Sequence, residues 1–129
     1  MEKMDRKICL DSDIIINFLR KNPETKKIID SLGEEFYTTQ INTFEVWSGR
    51  LKHEESTIKD TLDSLTKIDF DENSALKAGD IQLKLKETGD LIDFRDLFIA
   101  SICITNNLEL LTGNKKHFER LKKFGLKLI

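Results

Sequence analysis

Five short runs alternate with stretches patterned for helices: KICL (7–10), EFYTT (35–39), IDF (68–70), LELLT (108–112) and LKLI (126–129). This alternation restricts the fold more than any other feature. Successive strands separated by a helix are joined by a crossover and run parallel. A parallel sheet of this kind is covered by helices on both faces, so its strands are apolar on both. The sequence therefore predicts an α/β domain with a short, mostly parallel, twisted sheet of four to five strands and helices on both faces. In such sheets, ligands sit beyond the carboxyl ends of the strands.

The segments between the runs carry their own signals. IIINFLRK leaves the first strand as a helix. Asn22, Pro23 and Gly33 mark the start and stop of a helix across ETKKIIDSL. Asn42 reads as the cap of TFEVWSGRLK, where Phe44, Val46, Trp47 and Leu51 are apolar. These aromatics and Phe18 suit a core or an interface between two copies. Residues 54–67 place Ile58, Leu62 and Leu65 on one helical face. Asp71 caps a helix to about Thr88, with Leu76, Ile81, Leu83 and Leu85 among its apolar residues, and Gly89 ends it. Asp93 opens FRDLFIASICITN, apolar almost all round, which predicts a central buried helix. GNKKHFERLKKFG is a turn and a short helix.

Bulk properties narrow the function classes. A chain of 129 residues suits one domain. Charged residues at 34% and the AVILMFWYC group at 39% read as a soluble globular protein. A net charge of −2 gives no overall pull toward nucleic acid, so any such contact must use a local patch. The longest apolar runs, such as LFIASICI (97–104), are too short to span a membrane. The charged start MEKMDRK, followed by a stretch broken at Asp11 and Asp13, does not read as a secretory signal. Cys9 and Cys103 lack metal or redox spacing and read as reduced buried thiols of a cytoplasmic protein.

Acidic residues fall where the plan places its ligand edge. Asp11 follows the first strand, Glu45 lies in the first turn of the helix after the second, and Asp96 opens the central helix. Asn114 follows strand 108–112. Each has a plain alternative: Asn42 with Glu45 fits a loose capping box, and Asp93 with Asp96 looks similar. Asp11 differs, because Asp13 beside it supplies a cap for the next helix. Capping gives no reason for three carboxylates to share one edge. Clustered carboxylates repel one another, and a hard divalent cation such as Mg²⁺ or Mn²⁺ removes that conflict. Such an ion activates water and neutralises charge in attack on a phosphodiester.

ICLDSDIIINFL, TTQINTFEVWSG and DFRDLFIASICITNNLELLTGNKKHF together resemble the PIN-domain ribonucleases, and within them the VapC toxins of toxin–antitoxin pairs. The resemblance covers nearly the whole chain and treats residues 1–129 as a single PIN domain. It implies a three-layer α/β sandwich, Mg²⁺ or Mn²⁺, endonucleolytic cleavage of RNA, a homodimer, and a VapB-type antitoxin whose tail enters the active groove. By position, Asp11, Glu45 and Asp96 match the metal-binding acids. Asn114 matches the residue that completes the metal shell or orients water. Ser12 and Thr112 match small hydroxyl residues beside those acids. His117 stands where the family often has an aspartate, so a fourth acid is missing, and Asp13 or Asp93 is left to compensate through a water.

The expected RNA track is cationic, since phosphate contacts dominate affinity. Lys115, Lys116, Arg120, Lys122, Lys123 and Lys127 cluster near Asn114, with Arg95 beside Asp96 and Arg50 further off. The same run also suits a solvated helical face. Two rival readings remain at this level. LDSD after a strand also resembles phosphohydrolases of the haloacid-dehalogenase type, although Ile15 stands where they need threonine. A degenerate PIN domain would bind RNA or protein without cutting.

Overall fold

The computed structural model describes residues 6–33 and 35–129. Most of the charged start that was weighed against a secretory signal lies outside the described residues. Five strands, β1 (Ile8–Leu10), β2 (Tyr37–Thr39), β3 (Thr66–Ile68), β4 (Glu109–Leu111) and β5 (Lys127–Leu128), form one sheet in the order β3-β2-β1-β4-β5. Every pairing is parallel. The helices are α1 (Ser12–Leu19), α2 (Pro23–Leu32), α3 (Gln40–Ser48), α4 (Glu55–Asp63), α5 (Glu72–Glu87), α6 (Phe94–Thr105) and α7 (Lys115–Phe118). Short 3-10 segments span Lys52–Glu54 and Glu119–Phe124.

The sheet separates two cores. Successive side chains of a strand point to opposite faces. Ile8, Leu10 and Leu111 accordingly join Ile14, Ile15, Ile29, Val46, Ile58 and Leu62 on one side. Cys9 and Leu110 join Ile81, Leu85, Leu97, Ile99, Phe118 and Leu121 on the other. The three-layer sandwich follows. α6 lies in the second core with Leu97 and Ile99 to Cys103 buried, as its all-round apolarity required. Cys9 and Cys103 are both fully buried free thiols. A hydrogen bond donated to Cys103, then burial, hold the Cys9 thiol well above its ordinary pKa and so keep it protonated. Among the described residues no helix is long and apolar enough to cross a membrane.

Three boundaries differ from the sequence reading, each for a hydrogen-bonding reason. α1 begins at Ser12 with Asp11 as its cap, not Asp13. Asp11 holds the extended backbone (φ −72°, ψ 163°) with which β1 ends, and its carboxylate accepts the Ser12 amide. α3 begins at Gln40, not after Asn42, because the Thr39 hydroxyl accepts the Asn42 amide at 3.2 Å and the Asn42 side chain answers it. That box replaces the expected pairing of Asn42 with Glu45. The stretch 54–67 divides into a 3-10 turn, α4 and β3, so the third strand is Thr66–Ile68 rather than 68–70. Its register against Tyr37–Thr39 supplies backbone partners that a strand at 68–70 would forgo. Phe70 packs instead on Phe98, ring centroids 4.5 Å apart.

Candidate active site

The parallel register carries the first acid to the sheet's carboxyl edge. Leu10 pairs with Leu111, and the Asp11 amide donates to the Leu111 carbonyl at 3.0 Å. Thr112 therefore stands beside Asp11 and donates its hydroxyl to Asp11 Oδ2 at 2.7 Å. Asn42, wholly buried, donates Nδ2 to Asp11 Oδ1 at 3.0 Å and to Ser12 Oγ at 2.9 Å. Ser12 in turn donates Oγ–H to Glu45 Oε1 at 2.7 Å. One polar chain thus ties Asp11 to Glu45. A carboxylate only 6% exposed survives here because donors from three segments satisfy it.

Glu45, Asp93, Arg95, Asp96, His117 and Arg120 line an open cavity of about 350 Å³ at this edge. Burial holds the Glu45 carboxyl above its ordinary range; the charges of Asp11 and Asp96 add to this, while the Ser12 bond and Arg95 oppose it. Burial likewise raises Asp96, with Asp11 and Asp93 adding and His117 and Arg95 opposing. Arg95 Nη1 is 3.9 Å from Glu45 Oε2, and His117 Nδ1 is 3.8 Å from Asp96 Oδ2. Asp93 caps α6 through the Arg95 amide, and the Arg95 guanidinium's hydrogen bond holds its carboxyl below the ordinary range. Asp96 makes no hydrogen bond to that helix end among the described residues, so the capping reading of Asp96 has no support.

Asp13 is not among the residues that line the cavity. Its carboxylate accepts the amides of Ile14 and Gly113, yet burial and then the Asp11 charge keep it raised. A Cβ at Gly113 would stand 2.5 Å from Asp13 Oδ2, so a larger residue there would push the Asp13 carboxylate aside. Asn114 is exposed, and its amide donates to Thr112 Oγ1 at 3.0 Å, which aligns the hydroxyl toward Asp11. Lys115 and Lys116 are exposed and do not line the cavity, whereas Arg120 does. The residue that sequence reasoning missed is Asn42, taken for a helix cap. The threonine three positions before it was the available signal, since Thr39 with Asn42 is itself box spacing. A second cavity of about 360 Å³, lined by apolar residues such as Leu10, Ile15, Ile29 and Phe36, holds none of these acids.

The donor set bears on a metal. Among the described residues no three acidic, histidine or cysteine side chains are grouped to hold one ion. A bare ion sharing Asp11, Glu45 and Asp96 at once does not fit that spacing. A hydrated ion needs fewer direct ligands, because Mg²⁺ retains several waters and is commonly bound through one or two carboxylates. Carboxylates lifted in pKa by burial and by one another are the chemistry such a cation relieves.

The PIN domain family model matches residues 8–124 of this chain. The chain belongs to the PIN domain family. This membership sets aside the haloacid-dehalogenase reading of LDSD, and Ile15, where that reading needs threonine, is buried core. Two PIN relatives come from Methanocaldococcus jannaschii. Its Ribonuclease VapC1 is 36% identical over 129 residues, covering 99% of this chain and 90% of that protein. Its Ribonuclease VapC3 is 38% identical over 93 residues, covering 72% of this chain and 94% of that protein. The solved structure of VapBC2 from Rickettsia felis, bound to a DNA fragment from their promoter, matches with a TM-score of 0.79 at 27% identity. That match covers 95% of this chain and 96% of the other.

Proposed function

We propose that residues 1–129 act as one PIN domain, a metal-dependent endoribonuclease serving as the toxin of a VapBC-type toxin–antitoxin pair. The observation that carries this reading is the hydrogen-bonded run Asp11–Asn42–Ser12–Glu45, set beside Asp96 at an open edge of the sheet. Relatives named as ribonucleases support the activity, and a neighbour solved as a VapBC complex supports a VapB-type antitoxin as partner. RNA as substrate implies action in the cytoplasm.

In this reading Asp11, Glu45 and Asp96 hold Mg²⁺ or Mn²⁺, through its water shell where direct reach is lacking. When bound, the ion supplies a polarised water and offsets charge on the phosphate. The chain's own residues do the positioning. Thr112 and Asn42 fix the two oxygens of Asp11, and Ser12 fixes one oxygen of Glu45. Preorganised partners of this kind cost no rearrangement during reaction. Asn114 orients a water or a phosphate oxygen from the rim. Arg95, with Lys115 and Lys116 outside the cavity, attracts the RNA backbone. His117 stands 3.8 Å from Asp96 where the family often has a fourth acid, which weakens the case for a second ion.

The test is purified protein on total cellular RNA, with Mn²⁺ or with EDTA, wild type against Asp96→Asn, and cleavage ends mapped. Metal-dependent cuts at discrete sites, at least about a hundredfold slower in the variant, are expected. Cleavage by Asp96→Asn at the wild-type rate removes the site assignment. Wild-type protein that cuts no RNA in Mn²⁺ removes the activity.

A further inference from the structure

We propose that Arg120 is a substrate-binding residue whose guanidinium grips a non-bridging phosphate oxygen of the RNA in the carboxylate cavity; this rests on the ribonuclease reading. Arg120 lies in the 3-10 segment Glu119–Phe124, between Phe118 and Leu121, which are 1% and 0% exposed. Those two anchors hold it at the cavity that Glu45 and Asp96 also line. Its Nε is out of water and has no hydrogen-bond partner. Leaving such a donor unpaired is costly, and native proteins seldom carry one without a reason.

The nearby acids do not supply the missing acceptor. Glu45 is bonded by Ser12 and approached by Arg95, Asp93 is held by Arg95, and Asp96 faces His117. None of the ion pairs among the described residues involves Arg120. The cavity thus has an acidic wall suited to a cation and a guanidinium bound to neither acid nor water through Nε. A phosphodiester fits between them, its charge drawn to the guanidinium and its oxygens matched to the fork of Nε and one Nη. Presenting that edge takes a swing of the Arg120 side chain that brings Nε out toward the cavity. Arg120 differs in this from Lys122 of the same segment, which pairs with Glu119 at 3.8 Å on the surface.

The test uses Arg120→Met and Arg120→Lys, each in the wild-type and the cleavage-silent Asp96→Asn chains. Binding of a short fluorescein-labelled single-stranded RNA of mixed sequence is followed by anisotropy in EDTA across a salt series. Thermal unfolding of each variant is recorded. Arg120→Met is expected to bind roughly tenfold or more weakly, with a log–log salt slope shallower by about 0.7. Its unfolding midpoint should stay level or rise, because an unpaired buried donor is gone. Arg120→Lys should fall between, keeping the charge and losing the fork. A lower midpoint with unchanged RNA affinity would mark a structural arginine and overturn the proposal. So would unchanged affinity and slope in both variants, which would leave a carboxylate from a protein partner as the ligand. If Arg120→Met fails to fold, an Arg120→Lys chain that binds RNA as wild type does overturns it. Wild type that cleaves while Arg120→Met cleaves with unaltered KM defeats this inference alone. Wild type that neither binds nor cleaves RNA defeats the ribonuclease reading and this inference with it.

Discussion

Asp96, Glu45 and Asp13 all hold their protons more tightly in the fold than a free carboxylate does, chiefly through burial. A folded pKa above the unfolded one means that stability is complete below the unfolded value and declines as pH rises through the folded value. In the metal-free protein these acids therefore weaken the fold at neutral pH. Asp96→Asn should accordingly raise the unfolding midpoint in EDTA at neutral pH while abolishing cleavage. The advantage should shrink as pH falls through the raised folded value toward the ordinary one, as wild-type Asp96 becomes protonated. Thermal unfolding of both chains across pH checks this, and a variant less stable than wild type at neutral pH contradicts it. Adding Mg²⁺ or Mn²⁺ should reverse the order. A ligand bound only by the native state stabilises it, by about 2.7 kcal/mol at a hundredfold excess over its dissociation constant. The variant should gain much less, as the same melts read with metal present will record.

Among the elements, the start of α3 ties fold to site. Asn42 completes the box with Thr39 and at the same time donates to Asp11 and Ser12. Asn42→Ala removes all of these and leaves buried partners short, so a loss of about 2–4 kcal/mol in urea unfolding is expected. Cleavage should fall with it, because Ser12 no longer has the donor that aligns it toward Glu45. A loss under about 0.5 kcal/mol would show that water replaces the amide group. The caps at Asn22, Asp71 and Asp93 were legible because each acts within three residues of itself. The true starts of α1 and α3 were not. Two neighbouring residues competed for each cap, and the deciding bonds come from Leu111, Thr112 and the end of β2. The third strand was misplaced for a related reason: IDF is the more apolar triplet, but the backbone of β2 pairs with Thr66–Ile68.

For the whole molecule, the surface outside the cavity carries large apolar side chains. Leu76 and Leu83, seven residues apart on α5 and so on one helical face, are each 63% exposed, and Phe44 on α3 is 60% exposed. We expect these to be covered by a second copy in the homodimer that the family resemblance implies. Trp47, grouped with Phe44 at the sequence level, is instead only part-exposed, with the Arg50 guanidinium 4.1 Å from its ring centroid. Replacing Leu76 and Leu83 together by lysine should leave the melt nearly unchanged, since neither is in the core, and yield a monomer by light scattering. A dimer of wild-type affinity in that variant would place the interface elsewhere.

Residue pattern alone was enough to read the alternation of strands and helices, a mostly parallel sheet with a core on each face, and the arrival of Asp11, Glu45 and Asp96 at one edge. These follow from hydrophobic period and connection length, which act locally and are read directly. Which partner each polar group takes was set by contacts between distant segments. Asp11 meets Asn42 across 31 residues and Thr112 across 101, and Arg120 meets none through its Nε. A hydrogen bond is a competition among all groups within reach, and the contestants are known only once the sheet has brought its strands into register.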